Sequence, residues 1–115
     1  MISQKYRFHG HGSLNYLYRK GQTVRSGHMM LKHVSNSRRD LPRFSVIVSK
    51  KVYKSAVKRN RIRRRLYEII RNYINSKDNV NSIDVMINVY SPEVLTLKAK
   101  ILESEVLGLL KQSGL

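Results

Sequence analysis

The side chains of this chain that could perform acid–base, nucleophilic or metal chemistry are few and poorly placed for it. Its seven acids, Asp40, Glu68, Asp78, Asp84, Glu93, Glu103 and Glu105, are scattered, and there is no cysteine. No paired carboxylates, Ser-His-Asp order or glycine-rich phosphate loop occurs, so general acid–base pairs and activated nucleophiles lack carriers. A nuclease that cuts with its own side chains needs clustered acids for metal ions or a histidine pair with lysine. The four histidines are His9, His11, His28 and His33. The first two sit in a flexible "HGH" whose spacing, without cysteine or a paired acid, is poor for a metal. Neither a catalytic residue nor a protein-bound metal is expected. Asp84, at the start of an apolar run, reads as a strand-edge or capping residue.

Cations are what the chain has in quantity, with 23 Lys and Arg and a net charge of +16. Their distribution is informative. Residues 1–71 carry 19 of them against two acids, a net of +17, while residues 72–115 carry a net of −1. A solubility device would be spread along the chain, whereas a polarised charge points to a large anionic partner, nucleic acid first. A membrane surface fits less well, because membrane-surface helices need bulky apolar residues opposite their cations throughout. The charge peaks in "VKRNRIRRRLYEII", Val57 to Ile70, where six of the eight residues from Lys58 to Arg65 are cations, five of them arginine. Like charges one helical turn apart repel, and a merely solvated basic face interleaves Glu at i+4. Arginine suits bidentate phosphate contact and stacking on bases. A helix N-terminus adds exposed amides and a positive dipole end at the same place.

The elements that must hold this segment follow from patterning. A chain of 115 residues with 41% hydrophobic content makes a single domain, 1–115, with one modest core. The start, "MISQKYRFHGHG", has no apolar targeting core, and no run approaches the ~20 apolar residues of a membrane span. With no cysteine, the chain reads as a soluble cytoplasmic protein with no membrane partner. Residues 1–12 read as irregular. Ser13 is an expected N-cap for a helix from Leu14 to Lys20, closed by Gly21. Strands are expected at Gln22–Arg25 and His28–Val34, then a turn in "SNSRRDLP". A strand at Arg43–Ser49, antiparallel to the preceding one, should follow. Ser55 is an expected N-cap for a long helix ending near Tyr73, with Ile62, Leu66, Ile69, Ile70 and Tyr73 as its apolar stripe. Tyr67 either stacks on a base or packs with its hydroxyl in water. Ile83–Tyr90 is the most strand-like run. "SPE" should open a C-terminal helix of about fifteen residues bearing Leu102, Val106, Leu109 and Leu110. Met29, Met30 and Met86 fill core. The order is α-β-β-β-α-β-α, an α+β domain. Carried backwards at 100° per residue, the apolar stripe of the long helix meets Lys58 and Arg59, so its first turns cannot be buried as its later turns are.

"SKK" at Ser49–Lys51 followed by "AVKRNRIRRRLYE" at Ala56–Glu68 resembles the signature of the bacterial ribonuclease P protein subunit. That family carries an Arg-Asn-Arg core, here Arg59, Asn60 and Arg61, then Ile62, the basic residues Arg63 and Arg64, Leu66 and an acid. "LNYLYRKG" is similar to the family's first helix. The resemblance implies a fold like ribosomal protein S5 domain 2, with a left-handed βαβ crossover against the usual hand. It further implies an accessory subunit of a ribonucleoprotein endonuclease, in which a catalytic RNA with bound Mg²⁺ removes the 5′ leader of precursor tRNA. One protein monomer per RNA is expected. Carried onto this sequence, Lys50, Lys51, Lys58, Arg59, Asn60, Arg61, Arg64 and Arg65 should face the catalytic RNA. Leu14, Tyr18 and Lys32 should face the leader, in a cleft between sheet and first helix. The family places aromatics one turn apart on that helix. Here Leu14 stands at one of the two positions, so leader contact leans on Tyr18, Tyr16 and basic residues such as Lys32. A small ribosomal-type RNA-binding protein is the alternative that charge and size also allow.

Overall fold

The computed structural model describes residues 6–7, 11–36 and 40–115. The expected irregular start, including His9, and the centre of the expected turn at residues 37–39 lie largely outside them. In chain order the elements are α1 (His11–Lys20), β1 (Gln22–Arg25), β2 (Met29–Ser35), β3 (Arg43–Val48), α2 (Ala56–Asn75), β4 (Ile83–Val89), a 3₁₀ turn (Pro92–Leu95) and α3 (Ala99–Gln112). The α+β order is the one the patterning predicts.

The strands form one sheet in the order β1-β2-β4-β3. β4 pairs antiparallel with β2, Lys32 opposite Met86, and parallel with β3, Val46 opposite Ile87. The expected pairing of β3 with β2 is therefore wrong, since β4 lies between them. The cause is visible in the burial of β4: six of its seven residues are buried, on both faces. A run of that composition stabilises the sheet most at its centre, while β3, with alternate residues buried, suits an edge. Asp84 accordingly lies on a central strand, not at a sheet edge. It is buried and receives a bidentate ion pair from Arg43, with Nε 2.9 Å and Nη2 2.7 Å from its two oxygens. Asn36 adds a third donor at 3.0 Å.

The two faces of the sheet differ. Met29, Leu31, Phe44, Val46, Val48, Val85, Ile87 and Val89 pack against Ile62, Leu66 and Ile70 of α2 and Leu102, Val106 and Leu110 of α3. Tyr67 belongs to this core: it is 4% exposed and its hydroxyl accepts from the Val46 amide at 3.0 Å. It therefore neither offers its ring to a base nor its hydroxyl to water. The opposite face carries a smaller apolar cluster, Leu17 of α1 on Met86, ringed by Leu14, Met30, Val34 and Ile47.

α1 starts at His11, so Ser13 lies inside the helix instead of capping it. It ends where Gly21 passes too close for a side chain: a Cβ there would stand 2.5 Å from the Leu17 carbonyl oxygen and 3.1 Å from that of His33. The expected C-terminal helix is broken in two. Ser91 caps the 3₁₀ turn by accepting from the Glu93 amide, but the chain opens again at Thr96–Lys98. The carbonyls of Val94, Leu95 and Leu97, which a continuous helix would use internally, accept instead from the Arg65 guanidinium.

Candidate nucleic-acid interface

α2 is begun as expected. Ser55 has extended backbone and its hydroxyl accepts from the Lys58 amide at 3.3 Å. The first buried residue of the helix is Ile62, so the turns before it stand clear of the core. Lys50 and Lys51, exposed in the turn after β3, sit at the C-terminal end of the strand that leads into this helix.

The structure divides the cations expected here into two groups. Lys50, Lys51, Lys58, Arg61 and Arg64 are exposed. Among the described residues neither Arg61 nor Arg64 has a hydrogen-bond or ion-pair partner. Lys58 holds its ammonium 5.2 Å from the centre of the Tyr53 ring, and Tyr53 donates to the Pro92 carbonyl at 3.1 Å. Arg59 and Arg65 are half-buried and occupied. Arg59 donates to the carbonyls of Tyr53 at 3.0 Å and Lys54 at 2.8 Å, bracing the loop that enters the helix. Arg65 donates to Val94 at 2.6 Å, to Leu95 at 3.0 Å and to Leu97, tying α2 to the segment before α3. Asn60 is exposed and accepts through Oδ1 from Arg63. Nothing in the composition distinguishes Arg59 and Arg65 from Arg61 and Arg64. The helical projection does: at 100° per residue Arg59 and Arg65 fall nearer the apolar stripe than Arg61 and Arg64, and so reach neighbouring backbone.

The second expected surface is the face of the sheet under α1. Leu14 and Tyr18, one turn apart, lie on the same side of that helix. Leu17 between them is fully buried on Met86. Tyr18 is 46% exposed, and the Lys32 ammonium stands 5.8 Å from its ring centre. Leu14, Tyr18 and Lys32 are thus brought together as expected, Leu14 as packing and the other two as an aromatic–cation pair open to solvent. Tyr16 is exposed on the flank of α1 opposite Tyr18. Thr23 and Arg25 of β1, opposite Lys32 and Met30 in the ladder, extend the polar floor of this face. Asp84 stands on it too, but its charge is met by Arg43.

Two of the other acids, Glu93 and Glu105, meet at His28. His28 places Nδ1 2.7 Å from Glu105 and Nε2 3.2 Å from Glu93. Ser26 donates to Glu105 through its hydroxyl, as does the His28 amide at 3.2 Å. The hydrogen bond to Glu105, with that to Glu93 and both negative charges, outweighs partial burial and raises the His28 pKa above 6.5. Burial by itself would raise Glu105, yet the bonds from Ser26 and His28 hold it below 4.5. His33 is lowered by burial. Among the described residues no three His, Cys, Asp or Glu side chains are grouped as a metal site.

α2 thus presents exposed cations near its start, and the sheet face under α1 presents an exposed aromatic–cation pair. The family model for ribonuclease P matches residues 2–114. The chain belongs to the ribonuclease P protein family. A ribonuclease P protein component from Synechococcus sp. (strain RCC307) is 38% identical over 78 residues, 59% of this chain and 61% of that protein. One from Blochmanniella floridana is 33% identical over 82 residues, 71% of this chain and 65% of that protein. The matched segments thus span just under two thirds of these relatives' length. The fold is that of the family's solved members. The RNase P protein of Staphylococcus aureus superposes with a TM-score of 0.79 at 23% identity, covering 94% of both chains. That of Thermotoga maritima gives 0.81 at 19% identity, covering 92% of this chain and 96% of the other. Among the described residues no helix is long and apolar enough to cross a membrane.

Proposed function

We propose that this protein is the protein subunit of a cytoplasmic ribonucleoprotein ribonuclease P, one monomer bound to one catalytic RNA. In this reading the protein holds that RNA and the 5′ leader of precursor tRNA, and the RNA hydrolyses the phosphodiester. The observation that carries the reading is that Arg61 and Arg64 are exposed and, among the described residues, without a partner, on a helix whose other side is core. Burying part of α2 fixes the backbone that carries these arginines, so only side-chain freedom is lost when phosphates meet them. Lys50, Lys51 and Lys58 enlarge the same positive surface. Arg59 and Arg65 shape it, through the loop at Tyr53–Lys54 and the segment at Val94–Leu97. Asn60 belongs to the surface as well.

The leader lies across the open sheet face, its bases meeting Tyr18 and its phosphates meeting Lys32. Mg²⁺ belongs to the RNA. The buried and half-buried acids, Asp84 and Glu105, already serve Arg43 and His28. The protein's contribution is to lower repulsion between substrate and catalytic RNA, which reduces the Mg²⁺ the pair requires, and to position the leader. Five exposed cations meeting phosphates would give a log–log salt dependence of RNA affinity of about −3.5 to −4.5.

The test is cleavage of precursor tRNA at low Mg²⁺ with the catalytic RNA alone, the protein alone, and both. Cleavage restored only by both is the expected result. Cleavage by the protein alone would make it a self-sufficient nuclease. Association with ribosomal particles, with no effect on cleavage, would make it a structural RNA binder.

A further inference from the structure

β3 is an outer strand, paired with β4 along one side. An open strand edge is a hazard that folds cover, and here two groups from elsewhere in the chain do so. The Val46 amide donates to the Tyr67 hydroxyl at 3.0 Å. Two residues earlier, Phe44 forms an isolated parallel bridge with Arg7, which precedes α1 in the chain. The guanidinium carbon of Arg7 stands 5.3 Å from the centre of the Tyr67 ring, within cation–π range. Tyr67 belongs to the main core under α2, whereas α1 packs on the opposite face of the sheet through Leu17 and Met86. Arg7 thus turns towards α2 and away from Tyr18.

As a fastening for that edge, an arginine is a poor choice. Its Nε is buried and, among the described residues, has no hydrogen-bond acceptor. No described carboxylate meets the guanidinium either: Glu68, next to Tyr67 on α2, lies 3.7 Å from Arg71, and Asp84 serves Arg43. A buried donor without an acceptor destabilises a fold. An apolar side chain of the same length would cover the ring and seal the edge without leaving one. The charge on Arg7 therefore does nothing that the isolated fold requires. It is also not sealed in, because the residue is half-buried and part of it reaches solvent. What lies beside it is basic. Arg63 and Asn60 stand one and two turns before Tyr67 on the same side of α2, Arg63 donating to the Asn60 side chain. Arg64, exposed, follows directly.

We infer that Arg7 binds a phosphate of the catalytic RNA, carrying the basic surface of α2 past Tyr67 to the outer edge of β3. This rests on the catalytic-RNA reading above and deepens it. A guanidinium over an aromatic ring engages the ring through its face and keeps its in-plane N–H donors for a phosphate. Tyr67 holds the group in place beforehand, so less freedom is lost when the phosphate arrives. The arriving anion also offsets the unfavourable burial of the cation. Arg7 lies outside the basic run of α2 by more than fifty residues in the chain, and only the bridge to Phe44 brings it to that surface.

The experiment measures affinity of the full chain for the catalytic RNA across a salt series, using wild type, Arg7→Met and Arg7→Lys, with the melting temperature of each free protein. Arg7→Met keeps an apolar cover on Tyr67 and removes the charge. It should flatten the log–log salt slope by about 1 and weaken binding several-fold at low salt, while the melting temperature holds or rises. Arg7→Lys keeps the charge without the planar fork, so its slope should match wild type and its affinity should fall between the other two. An Arg7→Met slope equal to wild type would overturn the inference. A lowered melting temperature with an unchanged slope would overturn it as well, by making Arg7 a fastening of the β3 edge alone. If wild type binds the catalytic RNA no more tightly than an unrelated RNA of the same length, the catalytic-RNA reading fails first and this inference with it. Selective wild-type binding with a silent Arg7→Met would remove this inference and leave that reading standing.

Discussion

Around β4 and α3 the buried and half-buried charged groups are matched within the protein: Asp84 is held by Arg43, and Glu105 by His28 and Ser26. Around the first turns of α2, Arg61 and Arg64 have no such partner among the described residues. Both regions are rich in ionisable side chains, so charge content does not separate them. Burial does. A charge taken out of water must be paired or the fold is destabilised, while an exposed charge can wait for a partner from outside. The contrast even runs through one helix, because Arg59 and Arg65 belong with the matched groups although they sit among the unmatched ones.

If this division is right, the two kinds of charge respond to different measurements. The largest effect should come from Asp84→Ala, which breaks a buried ion pair on the central strand. A loss of about 3 kcal/mol in unfolding free energy is expected, the lower end of the range for such pairs. Denaturant unfolding checks it, and a stability within error of wild type would place Asp84 with the exposed charges. Next comes Arg61→Ala with Arg64→Ala. The melting temperature should hold, while affinity for the catalytic RNA falls by about tenfold or more and its log–log salt slope flattens by about 2. Arg65→Ala should do the reverse, lowering the melting temperature and leaving the slope as it was. A flattened slope for Arg65→Ala would move that residue to the RNA side.

The smallest effect belongs to His28, and its sign is fixed by the direction of its pKa. Raised above 6.5, His28 stabilises the fold fully below that pH and loses its contribution as pH rises through the elevated value. Glu105, held below 4.5, contributes above that pH and loses its share as pH falls through the lowered value. The melting temperature of His28→Ala should therefore lag wild type most between about pH 5 and 6.5 and approach it on the alkaline side. A gap that widened with rising pH would show that the pair is not what links Ser26 and His28 to α3.

Much of this architecture could be read in the sequence, for local reasons. Ser55 caps α2 as its hydroxyl spacing implies, and Ile62, Leu66, Ile70 and Tyr73 form the buried stripe that a 3.6-residue period demands. The grouping of Leu14, Tyr18 and Lys32 followed from resemblance to a known family, and the structure brings them to one face. What could not be read is non-local. Pairing of β3 with β4 in place of β2 depends on which strand best tolerates burial on both faces. The break at Thr96–Lys98 depends on a guanidinium thirty residues away in the chain. The same distance hides what Arg65 holds: its place beside the stripe sets it apart from Arg64, but the carbonyls it meets belong to a segment far along the chain.

The central place of β4 also sets an order of events during synthesis. β1, β2 and β3 leave the ribosome first, yet β3 has no place in the sheet until the strand between it and β2 has been made. The parallel β3–β4 ladder closes a long loop that contains all of α2, and such non-local closure is slow. The basic helix therefore emerges before the sheet that will support it exists. Nascent chains halted before Ile83 should expose the apolar stripe of α2, which makes the last third of the polypeptide the part that commits it to fold.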